Sequence, residues 1–354
     1  MSDPVTFPLV SLQLLSDRHQ SVVALLPRLL RQDQQDWAAL LAEDFLLQTL
    51  GPLPCLLPID AFLLSDSALV ARLPVDRVTL LVPPELAQVA EVDALRARGF
   101  VVTSEMPVPG VDTRARFEEA KQAGAKWFAG VWYLEGQEKI DTAQAASHAL
   151  MLRLLQLVAA DAETRELEAV FKQDPQLSYH LLKLVNSVAM GLPNKISSFG
   201  QAIVILGRRQ LQRWLNLLMF TRQQDHGRLA PLQASAVLRA RLLELASAAL
   251  GASREKQEQA FIVGMFSLLG ILFGMPTEQV IRPLNLADEI VGALLERRGE
   301  LGLLLRLAEA AERADGEALA AALAQTGLSN RDFARVQFEA CRWMLDVTME
   351  HGDG

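Results

Sequence analysis

The stretch AFIVGMFSLLGILFGMP, residues 260–276, constrains this chain more than any other. From Gln259 to Thr277 it runs 19 residues without a charge. A membrane-crossing helix needs roughly 20. Such a segment must be buried, either in lipid or in a protein core. Gly264, Gly270, Gly274 and Pro276 interrupt it, neither flank is strongly basic, and no second apolar segment stands near to pair with it. Apolar residues on every face also suit a helix at the centre of a helical domain. The expectation is a buried core helix and no membrane span.

Composition supports a folded interior. Hydrophobic residues make up 51% of the 354 and charged residues 21%, enough for two or three domains with their own cores. The net charge of −8 argues against nucleic acid as a partner, since indiscriminate binding needs surplus Lys and Arg. Cys55 and Cys341 lie far apart with no CxxC spacing, and the start MSDPVTFPLV lacks a signal-peptide layout. Both features predict reduced thiols in a cytoplasmic protein.

Two halves follow different patterns. In residues 1–139 short apolar runs alternate with amphipathic ones. FPLVSLQLL (7–15), CLLPI (55–59), VTLLV (78–82), FVVTS (100–104) and KWFAGVWYL (126–134) read as strands. PPELAQVAEVDALRARG and TRARFEEAKQAG read as helices between them. Strands alternating with helices predict parallel pairing through βα units. A complete eight-unit barrel takes about 250 residues, so the first half is expected to be a partial barrel or small open sheet. The polar GQEKIDTAQAA (136–146) reads as a linker. Residues 140–354 show apolar positions at spacings of three and four and nothing strand-like, which predicts an all-α domain.

Asp174-Pro175, LLKLVNS (181–187), ISSFGQAIVILG (196–207) and Leu211 together resemble the HDOD domain, a relative of the HD-type metal phosphohydrolases. With the opening stretch and ALLERRGELGLLL behind them, they resemble bacterial signalling proteins that join an EAL-type domain to an HDOD domain. In catalytic HD relatives the core helix carries Gly-x-x-His-Asp-x-Gly, whose His-Asp pair holds metal. Here GMFSLLG, 264–270, places Ser267 and Leu268 at those positions. A leucine and a lone serine are poor ligands for a divalent ion. None of His19, His148, His180, His226 and His351 is followed by Asp.

The first half resembles a shortened EAL domain, the fold that hydrolyses cyclic di-GMP with paired metals. LPVDRVTLLVPPE, LRARGFVV and FEEAKQAGAKWFAGVWYL carry the likeness. Val82 stands where a metal-binding Glu belongs, and the Asp-Asp pair expected after the fourth strand is replaced by SEM, with Glu105 its one carboxylate. The resemblance therefore implies a catalytically inactive relative with no cofactor and no metal or catalytic residues. Asp60, Glu85 and Glu105 follow predicted strands and suit either a residual metal site or helix capping. Trp127, Trp132 and Tyr133 suit either base stacking or packing.

One charge pattern stands out. Between Asp174 and Asp225 no acidic residue occurs, while Lys183, Lys195, Arg208, Arg209, Arg213 and Arg222 do. This window suits a nucleotide phosphate, RNA, the more acidic first half or an acidic partner; a protein-facing role is the expectation. The resemblance implies a non-enzymatic docking module, with a protein partner, in a cyclic-di-GMP-linked pathway. The alternatives are a cyclic-di-GMP receptor without hydrolysis and a residual phosphodiesterase. A homodimer is also admitted.

Overall fold

The computed structural model describes residues 7–30, 36–49, 51, 53–65, 70, 72–135, 142–171, 207–213, 215–216, 229–284 and 286–349. By contact the chain forms two compact units. One comprises Met1–Glu135, Gln223–Leu268 and Asp288–Gly354; the other comprises Gly136–Arg222 and Leu269–Ala287.

The first unit contains a six-stranded sheet ordered β5-β4-β3-β2-β1-β6. Its strands are β1 (Val10–Asp17), β2 (Val22–Leu29), β3 (Cys55–Pro58), β4 (Val78–Leu81), β5 (Val101–Thr103) and β6 (Trp127–Ala129). Helices α1 (Asp36–Leu41) and α2 (Asp44–Thr49) separate β2 from β3, α3 (Ala61–Ser65) follows β3, α4 (Ala90–Ala97) follows β4, and α5 (Arg114–Gln122) follows β5. The β2–β3, β3–β4 and β4–β5 pairs are parallel, as alternating βα units predict. The sheet is nonetheless mixed, because β1 runs antiparallel to both β2 and β6.

This corrects the expectation of parallel pairing and adds β2, a strand the sequence pattern did not reveal. The β1–β2 turn, Asp17 to Ser21, has no glycine or proline. Asp17 builds it instead, its carboxylate accepting from the amides of His19 at 2.8 Å and Ser21 at 3.0 Å, while Gln20 takes a left-handed φ of 61°. The run KWFAGVWYL is also not one strand. It stops at Ala129, because Gly130 approaches the Val111 backbone so closely that a Cβ would lie 2.3 Å from its carbonyl oxygen. A short 3₁₀ turn, Trp132–Glu135, follows.

Beyond the sheet the described elements are helical. In chain order they include α6 (Thr142–Ala159), α7 (Thr164–Phe171), α8 (Pro231–Ala249), α9 (Arg254–Phe266), α10 (Leu269–Phe273), α11 (Thr277–Ile281), α12 (Asp288–Glu296), α13 (Gly299–Glu312), α14 (Gly316–Thr326) and α15 (Asn330–Met349), with a helical stretch at 207–213 and a 3₁₀ turn, Arg282–Leu284, besides. The uncharged stretch is buried at Phe261, Val263, Met265, Phe266, Leu268, Leu269, Leu272 and Phe273. It is not one helix. α9 ends at Phe266 and α10 begins at Leu269, with the Ser267 hydroxyl donating to the Gly264 carbonyl at 2.7 Å, a local bond that competes with helix continuation. No described helix is long and apolar enough to cross a membrane.

Within the first unit α8 lies at the centre, packed against α9, α13 and α15. Gly264 of α9 touches the Ala240 backbone of α8 with room for no side chain between them; a Cβ would come within 2.6 Å. Helix α15 reaches the sheet through Gln337. Its amide oxygen accepts from the Leu12 N–H at 3.1 Å and its Nε2 donates to the Val10 carbonyl at 3.0 Å. β6 pairs only with Leu15–Asp17, so Gln337 satisfies the part of the β1 edge that β6 leaves bare.

Candidate functional site

A charged side chain deep in an apolar helix carries a desolvation cost that only a partner can offset. Arg239 on α8 is such a residue, its side chain 3% exposed. Its Nε and Nη2 donate to the two carboxylate oxygens of Glu312, at 2.5 and 2.6 Å, in the two-pronged arrangement that suits a guanidinium. Nη1 donates to the Ser267 hydroxyl at 3.0 Å and lies 3.7 Å from Glu309. Burial alone would lower the Arg239 pKa, but the charge of Glu312 and its hydrogen bonds outweigh that and raise it. The guanidinium is held charged.

The centre extends to the sheet. The Tyr133 hydroxyl pairs with that of Ser235 at 2.6 Å, and burial, then the neighbouring Glu312 charge, pushes the Tyr133 phenol up. The Glu312 carbonyl accepts from Gln13 at 3.2 Å, and the Ala311 carbonyl from Ser11 at 2.6 Å. Ser267 thus stands in a polar centre built by Arg239, while its neighbour Leu268 is 1% exposed. Chemically this is a clamp. Sequence reading missed Arg239, Glu312 and Gln337. The available signal was a charge or amide on the apolar face of a long helix.

The candidate positions of the first half are dispersed. Val82 is wholly buried directly after β4 and donates its N–H to Thr103 at 2.9 Å. Asp60 accepts from the Leu63 N–H at 2.8 Å as a helix cap does. Glu85 lies in an exposed 3₁₀ turn, and Glu105 pairs with Lys126 at 2.6 Å. Trp132 stacks on Phe117 with ring centres 4.2 Å apart and donates to the Ser16 hydroxyl at 3.2 Å. Trp127 packs against the sheet core. Among the described residues no three His, Cys, Asp or Glu side chains gather as a metal site would require.

Of the basic window, Arg208, Arg209 and Arg213 fall on a described helical stretch in the second unit. Arg208 pairs with Asp161 at 2.7 Å and donates to the Ala162 carbonyl, so part of its charge is met within the chain. Lys183, Lys195 and Arg222, with the motifs at 174–187 and most of 196–207, lie outside the described residues.

The HDOD domain model matches residues 146–325, just over half of the chain. The Vibrio cholerae serotype O1 protein named cyclic di-GMP phosphodiesterase CdgJ is 31% identical over 67% of this chain and 55% of its own length. YuxH of Bacillus subtilis strain 168 is 29% identical over 61% of this chain and 52% of its own. The chain spans about half the length of these curated relatives. The crystal structure of the response regulator MmoQ from Methylococcus capsulatus str. Bath aligns with 56% of this chain and 96% of its own at 19% identity, with a TM-score of 0.27.

The name of the Vibrio relative overturns the expectation of catalytic inactivity and points toward enzyme activity. That expectation rested on Ser267, Leu268 and Val82. A substitution at an aligned ligand position removes one ligand; it does not show that every carboxylate or imidazole able to serve the reaction is gone. With the model match spanning residues 146–325, the chain belongs to the HDOD domain family.

Proposed function

We propose that this chain acts in cyclic-di-GMP signalling, in a phosphodiesterase system, with its HDOD region as the part that docks a protein partner. The observation that carries the reading is the 31% identity to CdgJ across 67% of the chain. The N-terminal half is read as a shortened EAL-like domain, supported by the parallel run β3-β4-β5 with helices between its strands. Docking is supported by the architecture of the polar centre, which spends its charges on one another and so holds a fixed scaffold. Arg209 and Arg213 are the described residues put forward for contact with an acidic partner.

The test uses the purified full chain. Cyclic di-GMP is incubated with it and magnesium or manganese, linear dinucleotide product is followed by chromatography, and binding is titrated by calorimetry. Product or saturable binding is expected. Absence of both, together with unchanged cellular cyclic di-GMP after deletion of the gene, would end this reading. A co-purifying protein lost on reversal of Arg209 and Arg213 to Glu is the expected sign of docking.

A further inference from the structure

A cavity of about 370 Å³ opens in the first unit between the end of α8 and helices α9, α13 and α14. That volume lies within the range of small-molecule sites, about 300–1,000 Å³. Its lining is apolar at Leu301 and Leu304, which are 2% and 4% exposed, and at Leu250, which stands 43% exposed. Ser247 also lines it. This serine is 4% exposed, and its hydroxyl has no hydrogen-bond partner among the described residues. The hydroxyl lines the cavity and is not fully enclosed, so it is open to bond with whatever enters.

Charge decides what that is. Two helices, α8 and α14, bring C-terminal turns to the cavity, and two, α9 and α13, bring N-terminal turns, so their dipoles offset. Of the two ionic side chains in the lining, Lys256 is already gripped by both carboxylate oxygens of Glu289. Glu300 makes no ion pair among the described residues. The lining therefore offers one uncommitted negative charge, an apolar wall and an open hydroxyl.

We propose that this cavity binds a small organic cation: a protonated amine with a hydrocarbon body, its ammonium on Glu300, its body on Leu301 and Leu304, and Ser247 supplying a hydrogen bond. The same charges disfavour a phosphate-bearing ligand, because the one lysine is engaged and the free charge is negative. The site is independent of the cyclic-di-GMP reading.

The experiment titrates phenethylammonium chloride into the full chain by calorimetry, with 2-phenylethanol and 3-phenylpropanoate as neutral and anionic counterparts of similar shape. The ammonium should bind saturably and more tightly than either. Glu300→Gln, at an exposed position, should weaken the ammonium about fivefold, as loss of a partly exposed charge pair does, and leave the alcohol unchanged. Ala252→Trp, which places an indole at the lining, should abolish binding of both, with helicity by circular dichroism confirming the fold. No saturable ammonium binding, tighter binding of phenylpropanoate, or equal ammonium affinity in Glu300→Gln would each overturn the proposal.

Discussion

Arg239 of α8 and Glu312 of α13 face one another across two hydrogen bonds of 2.5 and 2.6 Å, with the arginine side chain 3% exposed. Removing one partner strands the other charge in the core. Glu312→Ala should cost about 3–5 kcal/mol, a large part of a typical domain stability of about 5–15 kcal/mol. The double variant Arg239→Met, Glu312→Leu should be more stable than either single variant, because no charge is left unpaired. Urea unfolding of the three proteins checks this; a double variant weaker than both singles would refute it.

Gln337 offers a different test. Its amide completes the β1 edge through both oxygen and nitrogen. Gln337→Leu is close in size but leaves the Leu12 N–H and Val10 carbonyl without a partner, at a cost of about 1–3 kcal/mol for each buried group. Hydrogen exchange at the Leu12 amide should accelerate in the variant. Unchanged protection there would mean that the edge is satisfied by other means.

Leu268 lies 1% exposed where the chain passes from the first unit to the second. Leu268→Asp puts a carboxylate at a position that now buries an apolar side chain, costing several kcal/mol. Insoluble or unfolded protein is expected, and Leu268→Met, a near-isosteric change, should be tolerated at under about 1.5 kcal/mol. A soluble, fully helical aspartate variant would show that the position is not core.

The two free cysteines are buried. Burial pushes the Cys55 thiol from 9.0 up to about 12, and burial also raises Cys341. Between those values the unfolded chain gives up a proton that the folded chain keeps. Stability is therefore full below about pH 9 and falls as pH rises toward 12. Cys55→Ala should flatten that alkaline limb, read as the urea midpoint across pH 8–11. A thiol reagent at pH 8 should label neither cysteine in the folded protein and both in denaturant.

How much of this was written in the pattern of residues depends on the range of the interaction. The helices that end at Gly99 and Gly124 were legible because their stop signals are local, a glycine at φ 99° in one case and 89° in the other. Strand β2 was not. VVALLPRLL holds Pro27, which ordinarily argues against an interior strand. The structure accommodates it because β2 meets β3 only at Leu25–Cys55, so the side toward which Pro27 would direct its missing N–H is already free of partner strand. The polar centre was hidden for another reason. Ser267 sits among apolar neighbours in sequence, and Arg239, 28 residues earlier, becomes its partner only when α8 and α9 cross at Gly264. No periodicity encodes that crossing.

The pairing of Gln337 with β1 joins residues more than 320 positions apart, and Asn330 reaches the Phe7 carbonyl at 3.0 Å over a similar span. A ribosome delivers β1 long before α15 exists. The first strand must therefore wait, with part of its edge bare, while nearly all the rest of the chain is synthesised. The unit that holds the sheet should acquire protease resistance in one late step, when α15 has emerged, and its nascent form should lean on a holding chaperone until then.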